Sequence, residues 1–196
     1  MTGGVRVLTL PPPPLDRREV LRYARAAEGD AATEALLDRV WAEAAPLFEY
    51  RCAYCVTNSD CHAAVVTVNA LSVTSRDLAA LLAPHRRAVV VAATVGARFE
   101  RYLVRLSRLS PSAALMADAL GTERVEALMD GFQAALAADG IVTTRRFSPG
   151  YGDLPLSFQR EVFSLLSPEK NLGLSLGERL LMIPRKSVTA LMGVVE

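Results

Sequence analysis

The residues best equipped for chemistry lie in one stretch, Arg146-Phe147-Ser148-Pro149-Gly150-Tyr151-Gly152-Asp153, where an arginine, an aromatic and two glycines enter a turn. Glycine lacks a Cβ, so Gly150 and Gly152 let the backbone approach a ligand closely. Arg146 can grip a carboxylate through two parallel hydrogen bonds, and Tyr151 offers a flat face with a polar tip. The same residues also suit an ordinary tight turn with a solvated arginine. A second group, Cys52, Cys55, Cys61 and His62, could bind zinc or act as redox thiols. Against that, Cys52 and Cys55 stand three apart on an expected strand and so face opposite ways, and small buried cysteines are common in strands. Third, Arg98, Arg101, Arg105 and Arg108 recur at helical spacing, as a solvated face or a docking face for an acidic partner. No catalytic triad or carboxylate pair is evident.

The elements that must position these groups follow from patterning. Val5 to Leu10 reads as a strand, and Pro11 to Pro14 as a stiff connector, because proline fixes φ and donates no hydrogen bond. Asp16 with Glu19 starts a helix that runs to about Gly29, and a second helix spans Asp30 to Ala45, with Trp41 on its core face. Phe48 to Val56 and Cys61 to Val68 are expected to form a hairpin around Thr57-Asn58-Ser59-Asp60. After a short helix from Ser75 to Leu82, Arg87 to Thr94 supplies the most apolar strand, which should be central in a sheet. Helices follow over Gly96 to Arg108 and Pro111 to Ala138, the latter interrupted or kinked at Gly121. From Ile141 the pattern changes to a strand, a Pro/Gly turn, a helix near Leu156 to Leu166, and β pieces ending in Ser187 to Val195. Helices and strands mix without regular βαβ alternation, which favours an α+β fold over a doubly wound sheet.

Composition bounds the function. The chain has 196 residues, is 51% hydrophobic and carries a net charge of +1. It can bury a full core, is expected to form one domain over residues 1–196, and has no global field for nucleic acid or an anionic membrane. The apolar run from Ala88 to Ala97 is far below the roughly 20 residues a spanning helix needs. Met1 to Leu10 lacks the features of a secretory leader, and three cysteines make no disulfide framework, so a cytoplasmic location is expected.

The segment Arg146 to Tyr151 resembles the R-x-x-P-G-Y motif of the activation domain of cobalamin-dependent methionine synthase. Other segments agree in order. Glu19-Val20-Leu21-Arg22-Tyr23 is similar to the opening helix of free-standing family members, and Ala92-Ala93-Thr94-Val95-Gly96 to their strand-to-helix junction. Asp118 to Asp130 resembles their long helix, and Leu176-x-Glu178 with Met182-x-Pro184-x-x-Ser187-Val188 their terminal segment. The resemblance implies a twisted antiparallel sheet with helices around it, and a shallow groove for S-adenosylmethionine. By the family's pattern Arg146 would contact the methionine carboxylate, backbone near Ser148 would position the nucleoside, and Gly150 would belong to the same ligand loop. Tyr151 would lie near the methyl group and the corrin face. An acidic residue on the long helix would take the ammonium group, Glu126 being the candidate and Thr122 or Glu123 its alternatives. Ser148 stands where the full-length enzymes carry alanine.

The function implied is reactivation: reductive methylation of cob(II)alamin, with an electron from a flavodoxin- or ferredoxin-type donor. The chemistry then belongs largely to the cofactor. Asp60-x-His62-x-x-Val65 nearly matches the cobalamin-binding D-x-H-x-x-G motif but lacks its glycine. Cobalamin is therefore expected on a partner, a cobalamin-binding methionine synthase subunit or another corrinoid protein. Two other readings remain: a corrinoid-protein partner of the same fold that has lost its ligand, and a thiolate metal or redox module.

Overall fold

A computed structural model of the chain describes residues 3–195. Met1 and Thr2, which open the stretch read above as lacking a leader, and Glu196, the last residue of the expected domain, lie outside the described residues. The architecture is α+β, as the mixed patterning and the resemblance both imply. Strands β1 (Arg6–Thr9), β2 (Arg51–His62), β3 (Val65–Val68), β4 (Leu71–Thr74), β5 (Arg87–Thr94) and β8 (Ser187–Gly193) build one curled antiparallel sheet. Its order is β4-β3-β2-β5-β8, with β1 paired to the first half of β2. Two-residue strands β6 (Ser175–Leu176) and β7 (Met182–Ile183) form a separate hairpin.

Helices cover both faces of the central strands. One layer holds α1 (Arg17–Ala24), α2 (Ala31–Ala44), α4 (Ala97–Leu109) and α5 (Pro111–Ala138), and the other α3 (Arg76–Leu82), α6 (Gln159–Leu166) and α7 (Pro168–Leu172). This double cover explains the composition of β5. Val89, Val91 and Ala93 enter the first core while Ala88, Val90 and Ala92 enter the second, so no polar alternation is left. A fully buried valine contributes about 1.5–3 kcal/mol. The central position expected from apolarity is the one observed.

Local chemistry sets the helix ends. Asp16 accepts from the Glu19 N–H at 3.1 Å, and Asp30 from the Thr33 N–H at 2.9 Å. The first helix nevertheless stops at Ala24, five residues before Gly29, because Arg25 takes the left-handed conformation at φ 54° and donates to the Arg22 carbonyl. α5 runs unbroken through Gly121, contrary to the expected kink. The glycine serves close packing instead: a Cβ there would lie 2.5 Å from Phe99 Cε1 of α4 and 3.0 Å from Lys186 Cγ.

Two further expectations are corrected. Thr57 to Asp60 do not turn but continue β2, and the hairpin turns at Ala63-Ala64, with Ala63 at φ 53°. Thr57 and Ser59 are buried, and Ser59 donates from N–H and Oγ to the carbonyls of Arg86 and His85, each at 2.9 Å. The extended strand thus satisfies the polar groups of Ser59 as well as a turn could, and it satisfies the backbone of the stretch through its ladder partners. The segment after Ile141 is not a strand. It meets the end of the sheet through isolated bridges at Thr143 and Phe147 and through Gly193 N–H, which donates to Thr144 Oγ1 at 2.9 Å, while Gln133 Nε2 donates to the Thr144 carbonyl at 3.1 Å.

Candidate functional site

The middle of α5, the irregular chain after that helix, and the start of β8 enclose a groove of about 580 Å³. Arg146 is carried on that irregular chain and turned towards α5. Its Nη2 donates to Glu126 Oε2 at 2.8 Å, and its Nη1 to Asp130 Oδ1 at 2.6 Å and Gln133 Oε1 at 3.0 Å. Glu126 and Asp130 stand four apart, so one helix face presents both carboxylates to one guanidinium. Glu126, Arg146, Ser148 and Tyr151 all line the groove.

The loop is held by its own backbone and by α3. Phe147 is buried in the second core. Tyr151 N–H donates to the Ser148 carbonyl at 3.1 Å, and Gly150 N–H to the Leu154 carbonyl at 2.9 Å. Gly150, at φ +93°, makes the turn without lining the groove, so its role is conformational. Gly152 is the position of close approach, but to protein: a Cβ there would fall 2.2 Å from Asp77 Oδ2. Beyond it, Asp153 accepts from Ser75 Oγ and from the backbone N–H of Arg76 (2.7 Å) and Asp77 (3.2 Å), tying the loop to the start of α3.

That tie gives a pH dependence. The Ser75 hydroxyl, then the α3 backbone N–H groups, hold the Asp153 carboxyl below its usual range. A depressed folded-state pKa contributes stability above the unfolded value, about 3.9, and this is lost as pH falls through the folded value. Asp153→Asn should flatten the acid limb of a melting-temperature profile below about pH 4. Parallel profiles for the variant and the parent would refute the tie.

Sequence reasoning missed the groove's other wall and its floor. Lys186 Nζ is held at 2.9 Å by both Asp118 Oδ1 and Thr122 Oγ1 of α5, with Arg185 and Met182 beside it on the wall. On the floor, Gln159 and Thr189 are 6% and 1% exposed, and Gln159 Oε1 and Thr189 Oγ1 have no hydrogen-bond partner among the described residues. Buried polar atoms are nearly always paired, so two orphans lining one groove suit a polar ligand. No local signal marks them, because each is an ordinary residue until the fold buries it. Arg145, which the strand expected from Ile141 would turn away from Arg146, also lines the groove, its guanidinium 5.8 Å from the Phe147 ring centroid. The alternation that would separate it from Arg146 exists only in a strand.

The cysteines do not converge. Cys52 belongs to the first core and Cys55 to the second, on opposite faces of β2, and burial pushes their thiols up to about 12 and about 11. Burial, then the charge of Asp60, also raises Cys61. His62 is 87% exposed in its side chain and pairs with Asp60 Oδ2 at 3.0 Å at the end of β2. Among the described residues no three His, Cys, Asp or Glu side chains are grouped to hold a metal. The Asp60-x-His62 pair lies in a hairpin, and Val65 opens its second strand.

Fold and groove together define an α+β protein with a curled antiparallel sheet and a ligand-sized cleft at one sheet edge. The crystal structure of the MetH reactivation domain bound to AdoHcy shares this fold, with a TM-score of 0.65 over 97% of this chain and 78% of that one, at 13% identity. No protein-family model and no curated protein matches the sequence. No described helix is long and apolar enough to cross a membrane.

Proposed function

We propose that this chain binds S-adenosylmethionine in the groove and serves as a reactivation subunit for a corrinoid protein. The observation that carries the reading is the pairing of Arg146 with Glu126 at 2.8 Å on the wall of a groove whose floor holds unpaired Gln159 Oε1 and Thr189 Oγ1. An amino acid zwitterion can exchange with such a pair, its carboxylate moving onto Arg146 and its ammonium onto Glu126. Each protein charge keeps an opposite partner, so opening the pair leaves neither unsatisfied. The groove volume falls within the range of small-ligand sites, about 300–1,000 Å³. The fold neighbour that binds AdoHcy supports the same ligand class.

In this reading the Ser148 backbone positions the nucleoside, and Tyr151, 69% exposed, stands at the rim towards the partner. When bound, S-adenosylmethionine supplies an electrophilic sulfonium methyl for a reduced cobalt centre. Cobalamin is carried by a cobalamin-binding methionine synthase subunit or another corrinoid protein, and a flavodoxin- or ferredoxin-type donor provides the electron. Leu181 and Ile183, both more than half exposed on the β6–β7 hairpin, adjoin the groove through Met182 and give that partner an apolar contact. The chain's own task is to bind and orient, for which no general base is needed.

A second reading has its own support. Arg146 already donates to three protein acceptors, so the groove could be closed on itself in a corrinoid-protein partner that has lost its ligand. Calorimetric titration with S-adenosylmethionine and S-adenosylhomocysteine separates the two. Saturable binding of one molecule per chain is expected; no heat with either ligand would favour the second reading.

A further inference from the structure

A second cleft lies between α2 and α4, and it shares no residue with the groove. It encloses about 720 Å³ and is lined by Glu43, Leu47, Arg98, Arg101, Tyr102 and Arg105. Arg98 and Arg101 make no hydrogen bond or ion pair among the described residues. Arg105 reaches Glu43 only at 3.9 Å, and both side chains are about half exposed or more. Such a loose, solvated pair is easily exchanged. Arg39 of α2 is also close enough for its charge to act on Tyr102.

Beneath these arginines, Tyr102 is 6% exposed, and its Oη is buried with no hydrogen-bond partner among the described residues. Burial first, then the nearby charge of Glu43, pushes the phenol up to about 12, so it remains a proton donor at neutral pH. Glu43 acts on the hydroxyl by its charge and as a weak, distant acceptor, yet among the described residues none stands within hydrogen-bonding distance of Oη. A buried donor without an acceptor, beside guanidinium groups without anions, is one unsatisfied arrangement rather than two. A single carboxylate would engage one arginine. Three guanidinium forks and a neutral donor suit a multiply charged anion with several oxygens.

We propose that this cleft binds a phosphate-bearing small molecule, with Arg98, Arg101 and Arg105 holding the phosphate oxygens and Tyr102 Oη donating to one of them. The anion replaces Glu43 as the partner of Arg105. Glu43 thus acts as a placeholder that weakens binding, which a purely structural carboxylate would not do.

The test is titration of the full chain with inorganic pyrophosphate and with orthophosphate in about 0.15 M salt, where diffuse surface attraction is screened. Saturable binding is expected, tighter for pyrophosphate. Arg101→Gln, which removes an exposed side chain, should weaken it at least about tenfold, and Tyr102→Phe about tenfold, the usual scale for a hydrogen bond to a charged group. Glu43→Gln should tighten it. Arg108→Gln, on the same helix but outside the cleft, should leave it unchanged. Absence of saturable binding, an equal loss in Arg108→Gln and Arg101→Gln, or full affinity in Tyr102→Phe would each overturn the proposal. None of these outcomes bears on the S-adenosylmethionine groove, which the same preparation tests separately.

Discussion

Arg124→Met should lower the stability of the protein by about 3–5 kcal/mol, a large part of the roughly 5–15 kcal/mol typical of a domain. Arg124 is fully buried on α5 and 5.4 Å from the centroid of the Trp41 ring. Its Nη1 and Nη2 donate to the carbonyls of Pro13 and Pro14, each at 2.7 Å. The neighbouring Glu123, 4% exposed, pairs with it and accepts the Asp16 N–H at 3.1 Å. The two side chains thus clamp the proline connector and the start of α1 onto the long helix. Removing the guanidinium orphans two carbonyls and leaves the Glu123 carboxylate buried without its counter-ion, which is the costly part. Urea unfolding measures the loss. The double variant Glu123→Gln/Arg124→Met should recover part of it, because no charge is then stranded. A loss under about 1 kcal/mol in the single variant would mean that the connector is held elsewhere.

The second large effect concerns ligand affinity. Arg146→Ala should weaken S-adenosylmethionine binding by at least about thirtyfold, since truncating one partner of a desolvated charge pair costs roughly 2–5 kcal/mol. Arg146→Lys should restore little, because one ammonium cannot reproduce the fork that reaches Glu126, Asp130 and Gln133 together. Glu126→Gln is the companion variant: if the ligand's ammonium lies there, affinity falls, whereas if Glu126 only competes for Arg146, affinity rises. Arg145 is no control, since it lines the same groove. Arg160, exposed on α6 and outside the groove, is suitable, and Arg160→Ala should bind normally. Equal affinity for Arg146→Ala and the parent, with folding intact by circular dichroism, would place the ligand elsewhere.

The sequence alone determined features whose cause is local. Asp16, Asp30 and Ser75 start helices because each can bond an N–H three residues on, and β5 is central because a run without polar residues needs both faces covered. The motif from Arg146 to Tyr151 was equally legible, because backbone turns and a charged side chain are written in adjacent residues. What the sequence left open, tertiary contacts decided. Thr57 to Asp60 carry turn residues yet extend β2, because β3 and β5 supply partners for that backbone, and no residue in the stretch announces them. Gly121 looks like a helix break until Phe99 and Lys186 are seen against it. The partners of Arg146 lie 13 to 20 residues away on α5, and the orphaned Gln159 and Thr189 become distinctive only once burial removes their water. Hydrogen-bond satisfaction is a property of the packed chain, so a site defined by what lacks a partner is invisible before folding.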